Sequence, residues 1–130
     1  MSLFEYALLR VVPRVEREEF INAGVVLHCQ EKNFLDVRIH LDHDRLRALD
    51  PTADHEAVLA HLETARLVCA GGPEAGAIGS LPTSQRFGWL VAPRSTVLQA
   101  SPVHTGFTED PGEALDHLLK SMVHPPARHL

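Results

Sequence analysis

Cysteine and large aromatics are scarce in this chain: it has two cysteines, one tryptophan and one tyrosine in 130 residues. Cys29 falls in an apolar run and Cys69 on a helical apolar stripe. Buried free thiols in a reducing compartment are therefore expected, not a disulfide framework. No uncharged stretch approaches the ~18–20 apolar residues that span a bilayer. The N-terminus lacks a basic start and a small-residue cleavage site, so no signal peptide is read and a cytoplasmic location is expected. Positive charge is also short, with a formal net charge of −5. That disfavours a dedicated nucleic-acid binder, whose affinity comes from Lys and Arg on phosphates. Only Arg10, Arg14 and Arg17 lie close enough to form a local basic patch. The glycines at 71–79 carry neither GxxxxGK[ST] nor GxGxxG, which argues against a nucleotide loop.

What is present suits one folded domain. The apolar fraction is 45% and the charged fraction 22%, ordinary values for a globular chain. A chain of this length buries roughly two thirds of its unfolded surface, enough for a core without staples. The reading is one domain over residues 1–123 and a flexible tail over 124–130. Residues 4–12 (FEYALLRVV) are apolar on both faces, as in a central strand, and Pro13 ends them. A charged connector leads to a second strand at 23–29. Residues 34–41 (FLDVRIHL) alternate, with Asp36, Arg38 and His40 on the polar side of a half-solvated strand. Helices are expected at 44–49, 55–70, 82–91 and 111–123, with Asp44, Asp54 and Asp110 as caps. A glycine-rich loop is expected at 74–79 and a fourth strand at 95–101. Strands cluster early and helices late, so the fold class is α+β: a mainly antiparallel four-stranded sheet with helices packed on one face.

Two segments gather more polar chemistry than folding asks for. The first, 13–24, holds Arg17, Glu19 and Asn22 and closes on Gly24, just after Arg10. The second, 92–106, holds Arg94, Ser95, Gln99 and His104 and closes on Gly106. Each residue has a plain explanation: a surface ion pair worth about 0–1 kcal/mol for Arg17 and Glu19, a turn amide for Asn22. Their convergence beside buried strands is less easily explained that way. Arginines suit carboxylate or phosphate recognition, and Glu19 or His104 would serve proton transfer. A buried Gln99 must be paired. No nucleophile–base order can be read. The run His40-Leu41-Asp42-His43-Asp44 offers metal-competent groups, but they fall on a strand end and a helix start, and Arg38 stands where a metallohydrolase run would place a histidine. No metal and no cofactor is expected.

The spacing of Tyr6, Arg10, Pro13, Arg17, Glu19, Phe20, Asn22 and Gly24 resembles the N-terminal signature of the bacterial domain-of-unknown-function 3037 family. The late run Phe87-Gly88-Trp89-Leu90, Pro93-Arg94-Ser95, Gln99, Ser101 and His104 is similar to that family's second signature. Val11 and Arg14 depart from it. The resemblance implies a small, stand-alone cytoplasmic protein with no catalytic residue to transfer. It also implies a HipA-like kinase as a partner, since some members are encoded beside such kinases. Two functions are therefore expected to compete: a non-enzymatic binding or accessory module, and an enzyme or ligand-binding protein acting on a phosphorylated or carboxylated small molecule in an arginine-lined cleft.

Overall fold

The structure, a computed structural model, describes residues 1–126. Strand β1 (Ser2–Val11) is the centre of the sheet. One of its edges pairs antiparallel with β2 (Ile21–Cys29), which pairs in turn with β3 (Phe34–Ile39). The other edge is divided. β4 (Leu98–Ala100) pairs with Leu9–Val11, and β5 (His104–Thr108) pairs with Ser2–Tyr6. The α+β class and the antiparallel sheet are as expected, with β5 as a fifth strand. Its sequence, HTGFT, is short and carries a glycine, so it has little strand signature. β4 is shorter than the expected 95–101. There Thr96 Oγ1 donates to the Leu98 carbonyl and Gln99 Nε2 to the Thr96 carbonyl, both at 2.8 Å, and local bonds of this kind compete with a ladder.

Alternation along β1 sends side chains to two cores. Ala7, Leu9 and Val11 join Val26 and Val37 beneath α1 (His43–Leu49), α2 (His55–Ala70) and α3 (Thr83–Val91). Phe4 joins Val25, Leu27 and Cys29 beneath α4 (Pro111–Leu118). Helices thus occupy both faces of the sheet, which corrects the one-face expectation. The reason lies in β3. Its polar side is covered, because Arg38 pairs with Asp36 at 2.7 Å and reaches Asp116 of α4 at 2.9 Å. A π-helical turn, Leu119–Val123, carries the chain on over β2. His124 then stacks on His40 with ring centroids 4.1 Å apart. The rest of the expected tail includes 127–130, which lie outside the described residues.

Three local details depart from or refine the reading. The α1 cap is Asp42, not Asp44: its Oδ1 accepts from the Arg45 N–H at 3.1 Å. Asp54 and Asp110 cap α2 and α4 as expected. The glycine-rich stretch, Pro73–Ser80, forms two 3-10 turns kinked at Gly76 and is closed by the Gly72 N–H on the Gly79 carbonyl. Arg86 of α3 then donates to the Val68 and Cys69 carbonyls, binding the C-terminal end of α2 to α3.

Candidate functional site

The ladder itself brings the two polar segments together. Arg10 on β1 lies opposite Asn22 on β2 and opposite Gln99 on β4, so the three form one row across the sheet. A β-bulge sets this register. Leu9 faces Gly24 while Arg10 faces Asn22, leaving Ala23 as the extra residue. Gly24 suits that point, since a Cβ there would crowd the Arg38 carbonyl oxygen at 3.0 Å. The bulge therefore turns Asn22 to the Arg10 side while Ile21 and Ala23 remain in the core beneath α1–α3.

Around Arg10 lies a cavity of about 220 Å³. Arg10, Glu18 and Phe20 come from the first polar segment and its strand, Ser95 and Gln99 from the second, with Val12 and Val15 as apolar wall. The Arg10 guanidinium lies over the Phe20 ring, 4.2 Å from its centroid, a cation–π arrangement. Two buried polar atoms have no hydrogen-bond partner among the described residues: Arg10 Nε and Asn22 Oδ1. Such atoms are rare in folded proteins, because leaving one unsatisfied costs about 1–3 kcal/mol. Asn22 is otherwise held, its Nδ2 donating to the Met122 carbonyl at 3.1 Å.

The remaining expected residues are placed nearby but are engaged elsewhere. Arg17 donates to Glu19 on the surface, and that carboxylate keeps the guanidinium still more firmly protonated than usual. Arg94 caps α3: it donates to the Trp89 and Leu90 carbonyls and lies 4.4 Å over the Trp89 ring. With Gln99, Trp89, His61 and Thr64 it lines a second cavity of about 160 Å³ on the α2–α3 side of β4. His104 faces Tyr6 across the ladder with ring centroids 5.4 Å apart. That is four residues from Arg10, about 13 Å at 3.3 Å per residue. Arg10, Ser95 and Gln99 thus share one cavity, with Asn22 beside Arg10 in the ladder, while Arg17 and Arg94 do not line a common one.

Glu18 was not singled out by sequence reasoning. It is one of three glutamates at 16–19, and nothing in the string separates it from its neighbours. The structure does: Glu18 has φ 57°, in the left-handed region, at the end of the 3-10 turn Val15–Arg17. Non-glycine residues there carry strain.

Among the described residues no group of three or more His, Cys, Asp or Glu is placed to hold a metal ion. The His40–Asp44 run is spent on an aromatic stack, a cap, and a His43–His55 edge contact at 4.9 Å. Buried His28 sits between Glu5 and Thr83, 3.5 Å and 3.3 Å from its two ring nitrogens, and stacks on Phe87. It joins β1, β2 and the start of α3. No helix among the described residues is long and apolar enough to cross a membrane.

The fold and cavity define a small α+β domain whose conspicuous site is a polar hollow where a central strand meets two polar segments. Residues 6–123 match the family described as "Protein of unknown function (DUF3037)", and the chain belongs to that family. No curated protein and no solved structure matches it.

Proposed function

We propose that this protein is a binding module that takes the carboxylate or phosphate of a small ligand at Arg10. The observation that carries the reading is that Arg10, whose buried Nε has no partner among the described residues, lines the cavity where both polar segments meet. Arginine offers five donors in a fixed fork, matched to carboxylate and phosphate oxygens. Ser95 and Gln99 add hydroxyl and amide groups to the same wall. A cavity of about 220 Å³ is below the roughly 300–1,000 Å³ of sites for drug-sized ligands, so the ligand is small. Thermal-shift and calorimetric titrations with inorganic phosphate, small carboxylates and phosphorylated metabolites test this. Saturable binding of at least one class, lost in Arg10→Gln, is expected. No binding of any, or binding unchanged in Arg10→Gln, refutes it.

A second reading, a protein-partner module, is favoured by one observation. Leu3 and Phe107 lie opposite each other in the β1–β5 ladder and are 50% and 65% exposed. β5 is an uncharged edge strand, open to an added strand from a partner. The HipA-like kinase implied by the family resemblance is the partner to try. Co-purification with it that is lost in Phe107→Glu supports this reading, and co-purification indifferent to Phe107→Glu removes β5 as the surface.

A further inference from the structure

Residues of each charge sign line the Arg10 cavity, and this narrows its ligand. In the first polar segment most charges are matched. Arg14 lies 3.8 Å from Glu16 and 3.6 Å from Asp50, and Arg17 pairs with Glu19. Arg10 and Glu18 have no ion-pair partner among the described residues, and both line the same cavity. Glu18 is held there by a left-handed backbone, fastened by its own N–H on the Val15 carbonyl.

A simple anion entering this cavity gains Arg10 but meets the Glu18 carboxylate as a like charge. A phosphate, with up to two negative charges, meets more of that repulsion than a carboxylate does. A ligand carrying a carboxylate and an ammonium a few bonds apart satisfies both ends at once. The rest of the wall is mixed, with Val12, Val15 and the Phe20 ring as its apolar part and Ser95 and Gln99 as its polar part; the apolar part accepts an aliphatic third substituent. We infer that the Arg10 cavity binds a zwitterionic α-amino acid with an apolar side chain, its carboxylate on Arg10 and its ammonium on Glu18. The inference rests on the Arg10 reading above and adds the cation-binding half. Glu18 also acts as a discriminator, since it raises the cost of the wrong, purely anionic ligand.

The test is a calorimetric comparison of L-leucine with 4-methylpentanoate, which lacks only the amino group, and with 3-methylbutylamine, which lacks only the carboxylate. Wild-type protein is expected to bind leucine about tenfold or more tighter than 4-methylpentanoate, the order of one charge-assisted hydrogen bond. Glu18→Gln should bring the two within about threefold. Glu18→Asn, whose side chain tolerates the left-handed backbone, should do the same and guards against a folding defect. Arg10→Gln should lose both ligands. If wild-type protein binds 4-methylpentanoate as tightly as leucine, or if both Glu18 variants keep the preference, the zwitterion inference is overturned while anion binding at Arg10 stands. If neither ligand binds, the inference is overturned, and the phosphate titrations above decide what becomes of Arg10.

Discussion

Replacing Arg10 by methionine separates a residue kept for binding from one kept for stability. Methionine is unbranched and reaches about as far as the Arg10 Nε, so it keeps the packing of the aliphatic stem and removes the guanidinium. What is removed is a buried Nε with no partner, a burden of about 1–3 kcal/mol in the native state. What is lost is the contact with the Phe20 ring at 4.2 Å. Phe20 is 44% exposed, which puts that contact near 0.5–1 kcal/mol. The difference predicts Arg10→Met to be neutral or stabilising, by about 0–2 kcal/mol. For a chain of this size that is a rise in Tm of up to about 10 °C. Urea unfolding followed by circular dichroism reads it directly, as a midpoint shift at constant m-value. A variant that gains stability and loses ligand would show the trade-off of a functional group held at a structural cost. Destabilisation by more than about 1 kcal/mol would mean that Arg10 holds the sheet together, and the binding argument would lose its foundation.

Other consequences follow from the same packing. Gly106→Ala places a Cβ 2.6 Å from Phe4 Cζ, so overpacking of about 1–3 kcal/mol is expected in urea unfolding. Leu62 of α2 is fully buried, and Leu62→Ala should cost about 2–5 kcal/mol in the same assay. Burial pushes the Cys69 thiol up to about 12, with Asp36 adding to the shift. The native protein should therefore resist a thiol-disulfide reagent at pH 8 and react fully once denatured. Hydrogen bonds from Thr52 hold the Asp50 carboxyl below its usual range. Its folded value lies below its unfolded one, so its contribution is present above the ordinary aspartate value near 4 and is lost as pH falls through the folded value. Thr52→Ala should flatten the acid limb of a stability-against-pH curve.

Legibility in the sequence followed the strength of local signals. β1 and β2 are almost wholly apolar, and both were readable because a strand covered on two sides shows it in every residue. If both sides of β1 are apolar, something must cover each, which conflicts with helices on one face only. The alternation of β3 suggested a wet face and hid this. Arg38 and Asp116 are 78 positions apart, and no local pattern reveals that a helix will be docked over a strand's polar side by an ion pair. α4 was readable from Asp110, Pro111 and its apolar stripe, but the face it chose was not. β5 was missed because five residues with a central glycine carry no periodicity. Gly106 is required there by the Phe4 ring, a tertiary reason invisible in the string.

The site was half legible for a related reason. Gln99 stood out as a polar group in an apolar strand, a conflict that local patterning does reveal, while Asn22 read as a turn amide and Arg10 as part of a basic patch. Their assembly depends on register. Near its C-terminal end β1 pairs with β2 on one edge and with β4 on the other, so a polar residue there draws one neighbour from each segment. A slip of one residue in either pairing would turn its partner to the opposite face. The bulge at Ala23 makes such a shift on β2 alone, and it is what sets Asn22 beside Arg10. On the other edge the Val12 N–H on the Val97 carbonyl and the Ser101 N–H on the Leu8 carbonyl, at 2.7 and 2.8 Å, fasten both ends of β4. Gln99 is thereby fixed opposite Arg10 although β4 is only three residues long. The cavity is thus a product of β1 itself: two segments some 80 positions apart meet because one strand is hydrogen-bonded to both, and the polar residue at that crossing is the one left with a donor to spare.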